Sequence, residues 1–258
     1  MDEVVKWSHL HFMKINPDKT ELLLLRPASM NKEVIINGII YQDQCIRFSN
    51  VVKNVGVHID QNLEMDKHIN FLVSHCYKIL RDICGIRKYL QKKHLEQLIH
   101  AVITGRLDYC ICLFVNISRD NLFKMQKAQN AAGRLILGKR RRDSARLTLR
   151  ELHWLNVEKR VTFKILLLVF KVIKGMCNMT LRYKGFNGRP DDFLLLETPT
   201  FKTQYGKRLF EYNGSRWWNA LPVNVRTEED IEVYKKMIKT LLFADYENLK
   251  QTAFKYQS

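Results

Sequence analysis

The chain has 258 residues, 46% of them apolar, which is ample material for one large domain or two small ones. Forty-three Lys and Arg against twenty-six Asp and Glu give a net charge of +17, an excess that points to polyanionic partners, nucleic acid foremost. The acidic opening "MDEVVKWSHLHF" and a longest apolar run of only "ILLLVF" (Ile165–Phe170) make a secreted or membrane-spanning protein unexpected, so an intracellular protein of cytoplasm or nucleus is the expectation.

The first sixty residues have strand periodicity. "WSHLHFMKI" closes a predicted helix that Asn16-Pro17 breaks. "ELLLL" (Glu21–Leu25) is a short apolar strand candidate. In "EVIINGIIY", Asn37-Gly38 lies between two β-branched stretches, and Asn-Gly is the strongest local signal for a hairpin turn. "VVKNVGVHID" (Val51–Asp60) alternates apolar and polar residues and predicts a half-buried strand carrying Gly56.

From about residue 65 the period becomes helical. "HINFLVSHCYKILRDICGIRKYL" and "HLEQLIHAVITGRLDYC" each repeat apolar residues at three and four. A third helix is predicted behind an N-cap at Ser118 or Asp120, running through "NLFKMQKAQNAAGRLIL" to Gly138. Three such helices with short connections make a small bundle.

Between Arg134 and Arg150 lie seven basic residues and one acid, Asp143. Lys139, Arg140, Arg141, Arg142 and Arg146 form the best candidate binding patch, because clustered guanidiniums can take bidentate phosphate contacts and release counterions. A nuclear import signal and a solvated linker are the competing readings of the run. An amphipathic helix over Val157–Gly175, an irregular stretch from Asn178 to Tyr205, and a final helix from about Asp230 to Ala244 complete the pattern. Trp217-Trp218 suits either base stacking or closure of a core, the latter being the commoner use of large aromatics. The six cysteines predict buried free thiols, and Cys110-x-Cys112 is one residue short of zinc-ligand spacing, so no metal is expected there.

Taken in order, "INPDKTE", "VVKNVGVHID", "RLDYC", "MQKAQNAAGRLI", "ELHWLNVEKRVTFKIL" and "RWWNALPVNVR" resemble the carboxy-terminal part of reverse transcriptases from non-LTR retrotransposons of the jockey and CR1-like lineage. The resemblance implies late palm, thumb and tail, with "VVKNVGVHID" as a primer-grip hairpin. It implies that Gly56 and Lys53 lie against a primer backbone and that Lys19 lies near the triphosphate. It implies RNA or an RNA/DNA hybrid as partner, held by its backbone, together with an amino-terminal polymerase part outside this chain.

The family's catalytic aspartates hold Mg²⁺, and no Asp-Asp pair precedes "INPDKT". The one such pair, Asp191-Asp192, lies in the irregular tail. The chain as it stands is therefore expected to be no enzyme and to bind no cofactor. Apolar residues that would face the missing palm should be left exposed. A non-enzymatic RNA- or protein-binding module, or a relic with no function, are the alternatives. The expected fold is α+β and mostly α, in three parts: a β-hairpin palm remnant (1–64), a helical thumb-like bundle (65–138), and a basic linker with a helical carboxy-terminal region (139–258).

Overall fold

The computed structural model describes residues 2–25, 38–41, 44–185, 188, 193–203 and 205–244. Helix accounts for 59% and strand for 9%, the latter in two small antiparallel hairpins, so the fold is α+β and mostly α. The chain divides into two compact units, residues 1–68 and 69–258. Among the described residues no helix is long and apolar enough to cross a membrane.

Unit 1 opens with α1 (Asp2–Leu10). The helix ends not at Asn16-Pro17 but at Leu10, and Phe12, with a φ of 55°, turns the chain so that the Met13 amide donates to Ser8 O at 2.8 Å. Asn16 instead caps a single 3₁₀ turn, Pro17–Lys19, by accepting from the Asp18 amide. "ELLLL" forms no regular strand; Leu22 makes one parallel bridge to Phe48.

Strands β1 (Gly38–Tyr41) and β2 (Gln44–Arg47) pair with Gly38 opposite Arg47 and Tyr41 opposite Gln44. Gly38 is thus the first strand residue rather than part of a turn, while Asn37 lies outside the described residues. "VVKNVGVHID" is a hairpin and not one strand. β3 (Val51–Asn54) pairs with β4 (Val57–Asp60), and Val55 and Gly56 form the turn with φ of 44° and 83°. Two positive φ values in a two-residue connection are the pattern of a type I′ turn, which matches strand twist and strongly favours glycine at its second position. After β4 the Asp60 carboxylate accepts the amides of Asn62, Glu64 and Met65, shaping the approach to α2 (Asp66–Ile86). His68, in the first turn of α2, is buried and takes the His58 amide on Nδ1 at 3.4 Å.

Unit 2 is built around α2, α3 (Lys92–Ile99), α4 (Gly105–Asp108) and α5 (Arg119–Leu137). A π-helical stretch, His100–Thr104, joins α3 to α4. Ser118 caps α5, and Gly138 ends it in the left-handed conformation, as its position in the sequence predicts. Two short connections lead to α6 (Ala145–Glu151) and α7 (Val157–Ile173), each behind a side-chain cap, Ser144 and Asn156. α8 (Phe210–Asn219), α9 (Val223–Arg226) and α10 (Ile231–Ala244) follow the irregular stretch. Helices on both sides of residue 138 share one core: α5 packs on α6 and α7, and α7 on α8 and α10.

The quoted sequence blocks meet one another inside this unit. Asp108 of "RLDYC" receives a two-pronged contact from Arg160 of "EKRV", Nε to Oδ1 at 2.9 Å and Nη2 to Oδ2, with Lys164 Nζ 3.5 Å away. Both partners are about one-sixth exposed, at 16% and 17%. Gln126 of "MQKAQN" accepts the Val157 amide at 2.9 Å and donates to Gln129 and Asn130. Gln129 in turn donates to Leu155 O at 2.8 Å, so two amides fasten α5 to the start of α7. In "RWWNALPVNVR", Trp218 is wholly buried and its indole donates to Leu194 O, Asn219 exchanges two hydrogen bonds with the Leu196 backbone, and buried Arg226 donates to Leu221 O and Phe193 O. Those contacts tie the irregular stretch onto the helices. Tyr234 of α10 stacks on Phe170 of α7 at 4.3 Å and closes the far side of the core.

The thiols are free, but of the six only Cys76 is fully buried, and Cys45 and Cys84 are exposed. The expectation of buried thiols fails because Cys45 lies on the exposed face of β2 and Cys84 on the outer side of α2.

Two measurements check these contacts. Asp108→Ala leaves Arg160 without its carboxylate in a mostly buried setting, and should lower unfolding stability by about 2–3 kcal/mol in urea titration. Burial, and secondarily the charge of His58, hold the His68 imidazole below its ordinary value of 6.5. The folded state therefore binds fewer protons than the unfolded one. The stabilisation is complete above the unfolded pKa and is lost as pH falls below it and through the folded value. A melting temperature that declines on acidification from about pH 7 to pH 5, and a flatter decline in His68→Gln, are the expected results.

Candidate nucleic-acid interface

The basic run is held in a defined shape. Gly138 has a φ of 68°, and an ideal Cβ there would fall 2.5 Å from Arg87 Nη2. The left-handed backbone is what favours glycine here, and the Arg87 guanidinium lies directly over it. Beyond it, Arg140 and Asp143 close a tight turn. The Asp143 amide donates to Arg140 O at 3.1 Å, and the Asp143 carboxylate accepts the Arg140 amide at 2.6 Å. Arg134 of α5 clamps the same turn by donating from Nε and Nη2 to Asp143 O. The single acid in the basic run therefore shapes it, and Arg140, Arg141 and Arg142 stand exposed on the turn.

Other cations converge on this turn from helices distant in sequence. Lys139 Nζ meets Glu151 Oε2 at 2.6 Å. That contact, first as a hydrogen bond and then as a charge, holds the Glu151 carboxyl below its usual range, with a further contribution from Lys92 at the start of α3. Burial raises the phenol of Tyr77 on α2, while Arg141 and Arg134 pull it down, so both guanidiniums lie near that ring. Arg87, Lys88 and Lys92 also line a cleft of about 360 Å³ whose floor is Leu95 and Ile136. The result is a surface where six cations, Arg87, Lys88, Lys92, Arg134, Lys139 and Arg141, outnumber the carboxylates of Asp143 and Glu151. Arg146 stands exposed on α6.

Three of the expected binding residues lie in unit 1. Lys19 ends the 3₁₀ turn and is exposed. Lys53 points outward from β3, and its amide donates to Glu21 Oε2 at 3.3 Å, which fastens the segment carrying Lys19 to the hairpin. Gly56 occupies the exposed hairpin turn, where its positive φ accounts for the residue type. Lys19, Lys53 and Gly56 thus belong to one small framework, and Lys139, Arg140, Arg141, Arg142 and Arg146 to the other unit.

Sequence reasoning missed Arg87, Lys88, Lys92 and Tyr77. The signal present was a second basic run, four cations in the seven residues 87–93. Its spatial meaning depended on α3 packing along α5. It also passed over His58-Ile59-Asp60 with His68, the residue types of a His-x-Asp and distal-His metal triad. The Asp60 carboxylate is spent on three backbone amides, and among the described residues no group of three or more His, Cys, Asp or Glu is placed to hold a metal ion. Asp191-Asp192 lies outside the described residues.

Compared with known proteins, the chain is matched by no family model, no curated protein and no solved structure.

Asp143→Ala removes the acceptor that folds the arginine turn. The expected outcome is a loss of about 1 kcal/mol in unfolding stability, together with faster amide exchange at Arg140 measured by NMR.

Proposed function

We propose that this chain is the terminal part of a retroelement RNA-directed DNA polymerase, and that it holds nucleic acid by its backbone without a catalytic centre of its own. The observation that carries the reading is the convergence of Arg87, Lys88, Lys92, Arg134, Lys139 and Arg141 around the pinned Arg140–Asp143 turn. A duplex backbone presents closely spaced phosphates, and a preformed row of guanidiniums and ammoniums meets them without reading bases. Arginines with exposed planar heads can each take two phosphate oxygens.

In this reading Lys53, Gly56 and Lys19 form a primer-gripping hairpin, a job that backbone geometry can do without sequence readout. Unit 1 also leaves Trp7, Leu10, Phe12 and Ile40 exposed, Phe12 completely. Such apolar exposure suits a surface that an upstream polymerase part would cover. RNA or an RNA/DNA hybrid is the partner, and the cytoplasm or nucleus the compartment, with the basic run also able to serve nuclear import.

The test is fluorescence anisotropy with a labelled RNA/DNA hybrid at several salt concentrations. If about six phosphates are neutralised, log affinity should fall against log salt with a slope near −5. Replacing Arg140, Arg141 and Arg142 by Ala should reduce that slope by about 3, and an unchanged slope sinks the assignment of this surface. Preference for a recessed primer end over plain single-stranded RNA supports the polymerase origin, whereas equal affinity indicates a general RNA-binding module.

A further inference from the structure

A second concavity in unit 2 has a different chemistry. It lies where α5 and α7 begin and has a volume of about 460 Å³, within the range of about 300–1,000 Å³ typical of small-ligand sites. Its walls combine apolar side chains, Val115, Ile117, Leu122 and Val161, and the rings of Phe114, Phe123 and Trp217 with polar groups. Phe123 is a large apolar side chain left 56% exposed on an otherwise well-buried helix. Arg119 lies one turn before it on α5 and Lys127 one turn after, and Lys127 Nζ stands 4.2 Å over the Phe123 ring. Asp120 is matched by Lys124 at 2.8 Å, which leaves Arg119 and Lys127 to set the charge along this row. Asn156 caps α7 through Oδ1, and Glu158 brings a carboxylate to the same wall.

We infer that this groove binds an unpaired nucleobase of a single-stranded segment, stacked against Phe123 and Trp217, with its flanking phosphates at Arg119 and Lys127. The inference takes its ligand class from the nucleic-acid reading above and adds a base-contacting site to a surface that otherwise meets only backbone. Aromatic platforms set among cations are how single strands are held without sequence readout, because every base has a π-face. The size of the groove favours a base over a partner helix, which would need a long continuous trough rather than a pocket. The amide Nδ2 of Asn156 and the Glu158 carboxylate offer a donor and an acceptor to the edge of the base, and the carboxylate excludes a phosphate from that wall.

The probe is a labelled oligouridylate hexamer, with an abasic hexamer of the same length as control. Wild-type protein should bind the base-bearing strand about tenfold more tightly than the abasic one. Phe123→Ala should remove that difference and Phe123→Tyr should restore it. Because Phe123 is more than half exposed, its truncation leaves the core intact, which circular dichroism checks. The inference is overturned if the two strands bind equally, if neither binds, or if Phe123→Ala leaves the difference in place. The blunt RNA/DNA hybrid separates this result from the basic surface. Phe123→Ala should bind the hybrid as wild type does. Salt-sensitive hybrid binding with no Phe123-dependent base effect removes the groove and keeps the basic surface; a Phe123-dependent base effect with no hybrid binding does the reverse.

Discussion

The helical unit depends on a carboxylate at the end of α4 gripped by a guanidinium of α7. Apolar contact alone is non-directional, and a helix such as α7, with buried residues from Val157 to Val172 around much of its circumference, could rotate among several packings. The paired contacts of Arg160 with Asp108 remove that freedom, because a planar fork and a planar carboxylate meet in one orientation. The Gln126 and Gln129 amides do the same at the start of the helix, where they bind the Leu155 carbonyl and the Val157 amide. With α7 fixed at both points, α8 and α10 have a defined surface on which to bury Trp218 and Tyr234.

The basic surface is a consequence of this frame rather than of the basic run alone. Like charges repel, and three of the six cations are held in place by specific contacts. Arg87 lies against Gly138, Arg134 holds the carbonyl of Asp143, and Lys139 faces Glu151. The carboxylates and carbonyl offset part of the repulsion while most of the excess charge stays outward. A surface arranged in this way loses little side-chain entropy when an external anion arrives, which is the advantage of preorganisation.

Much of the helical half was legible in the sequence. The apolar spacing of α2, α5 and α7, the Ser118 cap and the Gly138 stop are local signals, and the helices begin and end close to them. The strands were harder. The Asn37-Gly38 signal did not put Gly38 in a turn, while Val55-Gly56, which has a β-branched residue where asparagine is favoured, carries a turn with two positive φ values. There the pairing of β3 with β4 outweighs the local preference of Val55. The arginine run was visible as composition, but Asp143 read as a stray acid in it, and only the turn geometry shows why it is there. The cations of residues 87–93 became part of the same surface through long-range packing, which no local pattern encodes. The Phe123 and Trp217 groove was hidden for the same reason, since its rings are ninety-four positions apart in the numbering.

The π-helical stretch at His100–Thr104 lies between α3 and α4, just before Asp108. A π turn takes up one residue more than an α turn. The extra residue is absorbed within the wide turn, so the helix beyond keeps nearly the phase of a regular helix one residue shorter. Were the segment regular α-helix at its present length, everything beyond would be rotated by about 100°. Asp108 would then leave the side that meets Arg160, although every apolar residue of the segment would still be present. The stretch works as a phase spacer: helix length sets how far the carboxylate reaches, and the wide turn sets the direction it faces. Loss of one residue inside it is therefore the chain-length change this segment absorbs best, whereas the same loss elsewhere between α3 and Asp108 would turn the carboxylate away from α7.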